Sequence, residues 1–289
     1  MVAEKTEAKW AMPDDDSYAR MLRLSDLWRG PSLRAAIESL KLPEGSRGLD
    51  AGCGIGRHTL WLAEAVGPTG HVTGLDLSAD FVARGRTEAE RAGLSERASF
   101  VQGDVNRLPF DDDRFDWLWS ADTIYLGPGE EGYAAEEPLP LIRELARVVK
   151  PGGWIHLVYC AAQNLLPGYP LLEARLNAAS AEAEPFVRRN RPERHCLRAL
   201  EWLRGAGLET PTLDAVANAV QAPLDDDLRS ALTGLLTWRW GADPESKLSP
   251  EQAAEYRRLC RPESDDFILD LPHYSTFFTC SIFRGTVAG

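Results

Sequence analysis

Apolar residues recur along this chain with two periods, and the switches between them predict an alternating order of strands and helices. Short apolar runs fall at 46–51, 71–76, 98–102, 115–120 and 153–160, and helical spacing occupies 56–66, 78–92 and 138–149 between them. Such alternation predicts a parallel sheet covered by helices on both faces. Ahead of it, Tyr18, Met21, Leu22, Leu24, Leu27 and Trp28, then Leu33, Ala36, Ile37 and Leu40, repeat at helical spacing on either side of Gly30-Pro31, which predicts two helices. Residues 1–16, polar and ending in the run Asp14 to Asp16, read as disordered. Past Tyr159 the pattern changes. A helix from Leu171 to Glu182, an arginine-rich stretch and a helix at 195–205 precede a strand from Glu209 to Val220. Helical segments Leu224–Trp240 and Pro250–Cys260 then lead to a strand from Tyr274 to Gly285.

The densest local signal is Gly48-Leu49-Asp50-Ala51-Gly52-Cys53-Gly54-Ile55-Gly56-Arg57-His58-Thr59, followed twenty residues after Gly56 by Asp76 in HVTGLD. It reads as a buried strand, a glycine turn, a helix and a second strand ending in a carboxylate. Alternate glycines let the backbone turn tightly and approach a bound group, while the helix start presents unpaired N–H groups to it. A carboxylate at the tip of the next strand can accept both hydrogen bonds of a ribose diol. The dinucleotide fingerprint G-x-G-x-x-G/A does not fit, because its last small position falls on Arg57 in one frame and on Thr59 in the other. The pattern predicts a nucleoside-binding crevice.

Asp50-x-Gly52-x-Gly54-x-Gly56 resembles motif I of the class I S-adenosylmethionine-dependent methyltransferases. Three further blocks follow in that family's order: Ser99-Phe100-Val101-Gln102-Gly103-Asp104-Val105, Phe115-Asp116-Trp117-Leu118-Trp119-Ser120, and Leu145 to Ile155 through Lys150-Pro151-Gly152-Gly153. The resemblance covers residues 44–160 closely, and its nearest flavour is the group that includes the ubiquinone and menaquinone biosynthesis methyltransferases. It implies a Rossmann-like α/β fold of seven strands, the last antiparallel between the fifth and sixth. It implies S-adenosyl-L-methionine as cofactor, held by Asp50, Gly52, Cys53, Gly54, Gly56, Asp76, Leu77, Gly103, Asp104, Val105 and Ser120, with Asp104 on the adenine amine and the Val105 N–H on the ring. It also places residues 1–42 as a helical cap on a domain of residues 43–289. Insertions at about 161–194 and 221–272 leave the ligand face and are positioned to act as a lid.

Composition narrows the setting. At 289 residues, the chain can bury a large core, and no apolar run approaches a membrane span. The N-terminus has no hydrophobic signal core, so the cytoplasm is the expected address. Five cysteines (Cys53, Cys160, Cys196, Cys260, Cys280), far apart and without a C-x-x-C pair, predict reduced thiols and no metal site. A net charge of −12 argues against a nucleic-acid partner. Arg188, Arg189, Arg191, Arg194 and Arg198 are the local exception, readable either as an anion grip or as a face balanced by Glu182, Glu184 and Glu193. A homodimer is compatible with all of this.

Methyl transfer from a sulfonium neutralises charge, so positioning the acceptor can provide much of the rate, and a base is needed only if the acceptor must lose a proton. His273 and Tyr274 at the entrance to the last strand, and Asp122 and Tyr125 after the fourth, are the candidate catalytic groups. Tyr18, Trp28, Tyr125, Trp238 and Phe277, with Trp10 and Trp240, are candidates to wall an apolar acceptor pocket. His71 and His156 read as structural, while His58, just after the glycine loop, reads either as a group approaching the site or as a helix residue packing against a cap. The expected activity is methylation of a small molecule at O, N or C, releasing S-adenosylhomocysteine. A non-catalytic S-adenosylmethionine-binding interaction protein and an aminopropyltransferase are the alternatives.

Overall fold

The computed structural model describes residues 15–241 and 243–289. Trp10 and the polar segment up to residue 14 lie outside them, whereas Asp15 and Asp16 open a helix. In chain order the elements are α1 (Asp15–Leu40), β1 (Arg47–Ala51), α2 (Arg57–Ala65), β2 (His71–Asp76), α3 (Ala79–Arg91), β3 (Ala98–Gln102) and β4 (Phe115–Ala121). There follow α4 (Pro138–Arg147), β5 (Val149–Asn164), α5 (Pro170–Glu182), α6 (Pro185–Arg188), α7 (Ala199–Gly205), β6 (Glu209–Gln221), α8 (Asp226–Trp238), α9 (Pro250–Cys260) and β7 (Ser275–Thr286).

The strands form one sheet in the order β3-β2-β1-β4-β5-β7-β6. β1 to β5 pair in parallel, and β7 runs antiparallel to both β5 and β6. One face packs Leu49, Leu75, Leu118, Ile155 and Phe283 against Leu141, Ile142 and Leu145 of α4 and Trp202 and Leu203 of α7. On the other, Val72, Phe100, Trp117, Trp119 and Ile282 meet α2 and α1 through Trp61, Leu62, Leu33, Ala36 and Ile37. With both faces covered, the central strands must be apolar throughout, as the burial of Trp117 to Ala121 shows.

Four expectations need correcting. The two helices around Gly30-Pro31 are one helix, α1, with Pro31 inside it. Proline removes a backbone N–H there, but Trp28 before it and Leu33, Ala36, Ile37 and Leu40 after it are all buried, so packing on both sides holds the helix together. Pro151-Gly152-Gly153 is not a turn ahead of the fifth strand. β5 already begins at Val149, and its register with β4 shifts between Phe115 and Trp117, absorbing the three residues as a bulge. β5 also continues to Asn164, so that with β6 and β7 it extends past the level where β4 ends at Ala121. Finally, Cys160 and Cys280 form a disulfide. They are 120 residues apart in sequence, yet they occupy neighbouring antiparallel strands with Cα atoms 4.1 Å apart, a proximity that spacing alone does not reveal. Cys53, Cys196 and Cys260 are free and buried.

A third apolar cluster joins parts remote in sequence. It contains Trp28 of α1, Leu165, Leu172 and Leu176, Leu232, Leu235 and Trp240, Tyr256 and Leu259, and Phe278 of β7. Residues 221–272 therefore share a core with α1 and α5.

Candidate active site

The glycine loop is shaped by its own backbone and by Asp76. The N–H groups of Gly52 and Cys53 both donate to the Leu75 carbonyl, at 2.8 and 2.9 Å, which ties the exit of β1 to the tip of β2. Asp76 then accepts from Gly54 N–H through Oδ2 at 2.8 Å and from Ser78 N–H through Oδ1 at 3.0 Å. Gly54 has φ +52 and Gly56 φ +87, left-handed values that side chains resist. A Cβ on Gly56 would lie 2.6 Å from Phe100 and 2.9 Å from the Gly85 backbone, so α2 and α3 can close on the loop only over a glycine. Gly56 caps α2 without any side-chain hydrogen bond.

Asp50 lies beneath the loop, 1% exposed. Its Oδ2 accepts from Thr59 Oγ at 2.7 Å and its Oδ1 has no partner. Burial pushes its carboxyl up to about 7, against the Thr59 hydrogen bond and with the Asp76 charge adding to the rise. An orphaned, desolvated carboxyl oxygen under a glycine loop fits a cationic group on a ligand above it. At the crevice rim, Leu77 is an apolar side chain left 70% exposed, which suits a flat ring. Asp104 is exposed and accepts from Asn106 N–H and Nδ2 at 2.8 and 2.9 Å through one oxygen. Ser120 is buried with its hydroxyl on the Ala51 carbonyl at 2.8 Å, so it braces β4 against β1. Gly103 and Val105 flank Asp104 at the exit of β3. These features, the loop, the two rim carboxylates, the exposed Leu77 and the buried acid, together fit a nucleoside bearing a positively charged tail.

α1 covers the other side. Ala19, Ile55 and Phe81 form a small cluster with Tyr18 and Leu22, and the Tyr18 ring stacks on Phe81 at 5.7 Å. Burial raises the Tyr18 hydroxyl's pKa, with Arg29 opposing and Asp76 and Asp122 adding, so the phenol sits among the charges of both halves of the crevice. Asp122, at φ +50 after β4, is the hub of a hydrogen-bond network on this side. Its Oδ1 accepts from Cys160 N–H at 2.9 Å and Tyr125 OH at 3.1 Å, and its Oδ2 from Arg29 Nη1 at 3.1 Å. Arg29 also reaches Asp26, which pairs with Arg57 Nε at 2.7 Å. His58, held between Trp61 and Trp119, is kept neutral: burial and then the Arg29 and Arg57 charges lower its pKa to about 3.

The structure brings Asp122, Tyr125 and Tyr18 together but not His273 and Tyr274. β7 begins beyond the parallel strands, so Ser275 lies five residues, about 16 Å of strand, past Cys280, whose disulfide partner Cys160 contacts Asp122. Tyr274 is buried in the third cluster with its hydroxyl on the Leu165 carbonyl at 3.3 Å, and His273 is exposed. Trp28 is likewise core, its ring tilted against Phe278 at 4.5 Å, while Trp240 is 4% exposed and donates to Asn177 at 2.9 Å, and Trp238 packs at the edge of the same cluster. Phe277 points to the opposite face of β7 from Phe278 and lines an outer groove with Asn164, Pro167 and Ala219. The arginine-rich stretch is balanced: Arg188 pairs with Glu131, Arg189 with Glu136, Arg191 with Glu193 and Glu137, Arg194 with Glu137, and Arg198 with Glu201. His71 bonds the Glu96 carbonyl and Ser99, and His156 is buried in β5. Arg29 and Asp26 were missed, because an i, i+3 pair of opposite charges in a helix reads as surface until the fold buries it.

No group of three or more potential metal ligands occurs among the described residues. Residues 42–203 match the model of a methyltransferase domain family. Demethylmenaquinone methyltransferase of Staphylococcus aureus is 33% identical over 150 residues, covering 51% of this chain and 55% of that protein, so the chain spans about half the length of the curated relatives it matches. Among solved structures, YcgJ of Bacillus subtilis is similar with TM-score 0.54 and 20% identity over 90% of this chain and 99% of its own. A SAM-dependent methyltransferase from Aquifex aeolicus gives 0.51 and 22% over 71% and 94%. With the family model spanning more than half of the sequence and the sheet order and glycine loop in agreement, the chain belongs to the class I S-adenosylmethionine-dependent methyltransferases.

Proposed function

We propose that this chain transfers a methyl group from S-adenosylmethionine to a small-molecule acceptor and releases S-adenosylhomocysteine. The observation that carries this reading is the Asp76 carboxylate, which holds the Gly54 and Ser78 N–H groups from the tip of β2 and so ties a ribose-binding acid to the loop beside it. Asp76 would hold the ribose diol, Asp104 and the Val105 N–H the adenine, with Leu77 against its ring, and Asp50 would face the cationic tail. The sulfonium supplies an electrophilic methyl group when bound. The chain's own task is then to bring the acceptor into line and exclude water.

Tyr18, Asp122, Tyr125 and Arg29 surround the acceptor side. Asp122 receives three donors, one of them cationic, so its task is to fix Tyr125 and Arg29 rather than to take a proton. That favours acceptors with an acidity of their own, such as phenols and enols. It also weighs against the polyamine reading, since the Asp122 charge is already met by Arg29 at 3.1 Å. The relative's name makes a demethylmenaquinone-type compound the first acceptor to test. The cap formed by α1 and the segments at 161–194 and 221–272 acts as a lid in this reading, supported by the cluster in which Trp28, Leu172 and Leu232 meet. Methyl-labelled cofactor incubated with phenolic, quinol and amine acceptors is the test. Label should move to an acidic hydroxyl-bearing or enolic acceptor; cofactor binding without transfer across the panel would favour a binding protein.

A further inference from the structure

β6 closes the sheet as a 13-residue edge strand, and its sequence leaves most of that edge unguarded. Edge strands are ordinarily kept from pairing with other chains by charges, prolines or bulges. Here such devices stand only at the start: Pro211 and a register shift between Glu209 and Thr212. From Thr212 to Gln221 the pairing with β7 is unbroken, and Asp214 is its one charged residue. One face of β6 packs on α1, where Asn218 bonds Ser32 and the Trp28 carbonyl. On the other, Leu213, Ala215, Ala217 and Ala219 are all exposed, and Phe277 of the neighbouring strand is 46% exposed beside Ala219. In a chain of net charge −12, an exposed sheet edge with no charge from Ala215 to Gln221 is an exception.

We propose that this edge is the contact through which two copies of the chain associate, β6 pairing antiparallel with β6 about a two-fold axis at Ala217. The occupant is a second copy because the strand is complementary to itself in that register. Ala215 of one copy meets Ala219 of the other, and Asp214 meets the uncharged Val220, so no like charges are opposed. The two sheets would become one, and the contact would reach α1 of each copy through Asn218.

Sedimentation velocity over a concentration series tests the idea on the intact chain, with circular dichroism confirming that the exposed-site variants stay folded. The native protein should pass from one chain to two, and more readily at higher salt as the repulsion between two acidic copies is screened. Two double variants then read the register. Ala215→Lys/Ala219→Lys opposes like charges twice and should weaken association by about tenfold or more, whereas Ala215→Lys/Ala219→Glu opposes unlike charges and should retain it. A native protein that stays monomeric into the high micromolar range overturns the proposal. So does a dimer that both variants leave intact, or that both disrupt equally.

Discussion

Replacing Asp76 with alanine removes the acceptor on which both the glycine loop and the proposed ribose contact depend. In the free protein its two oxygens take N–H groups of Gly54 at 2.8 Å and Ser78 at 3.0 Å. A hydrogen bond to an ionised group contributes about 1.5–3 kcal/mol, so the loop loses two such contacts, partly replaced by water. The bound ribose loses up to two more. Counting only the ligand's share, and only its lower bound, the loss is about 3 kcal/mol, or a factor of about 150 in affinity. The loop's own loosening adds to that, since the Gly54 N–H is no longer aimed and the binding-competent conformation is less populated. Asp76→Asn keeps one oxygen and should fall between the two. Calorimetric titration with S-adenosylhomocysteine measures the effect, and circular dichroism establishes that each variant is folded. Unchanged affinity in folded Asp76→Ala would refute the placement of the ribose, and with it the chain of reasoning from the tip of β2 to the cofactor.

Other outcomes follow from single positions. Gly54→Val should abolish cofactor binding while lowering the melting temperature only modestly. Its Cβ would meet nothing closer than Leu22 at 3.3 Å, and the left-handed backbone costs about 1–2 kcal/mol; retained binding would show that the loop does not face the ligand. Gly56→Ala should instead destabilise the fold by about 3 kcal/mol or more in urea unfolding, because Phe100 and the Gly85 backbone would both have to retreat. Asp50 titrates near 7 when folded but near 4 when unfolded, so the native state binds the extra proton and stability falls as pH rises through that window. Asp50→Asn should accordingly raise the melting temperature at about pH 8 and not at about pH 4, and a gain of equal size at both would exclude this origin. His58 and His156 both titrate near 3 when folded, held down first by burial, against about 6.5 unfolded. Here the unfolded state binds the protons, so their contribution is complete above about pH 6.5 and is lost on acidification, which thermal melts from neutral to acid pH would record.

The parts of this molecule legible in sequence are those whose signals are local. β2 at 71–76, β3 at 98–102 and α9 at 250–260 match their predicted bounds, because each is one apolar period bracketed by turn or cap residues, as with the capping box of Ser249 and Gln252. What escaped is set by contacts distant in sequence. α1 runs through Pro31 because two separate clusters grip its halves. The overhang of β5, β6 and β7 carries His273 away from Asp122 and Tyr125, and no residue in the sequence marks how far a strand outruns its neighbours. Its place after β4 marks Asp122 as a candidate, but its partners Arg29 and Cys160 lie 93 residues before and 38 after it. The same applies to the aromatic residues: helical spacing makes Trp28, Trp238 and Trp240 candidates for a pocket wall, whereas they belong to or pack against the cluster shared by α1, α5, α8 and α9.

The disulfide between Cys160 and Cys280 gives the segment between β5 and β7 an unusual connectivity. Every element from α5 to α9, with β6 among them, lies between the two cysteines and so belongs to a covalent ring hung from the sheet by β5 and β7. A protease that cuts once anywhere in that ring yields two pieces that still migrate as one until a thiol is added. Nicked protein would keep both pieces of that segment tied to the sheet through β5 and β7.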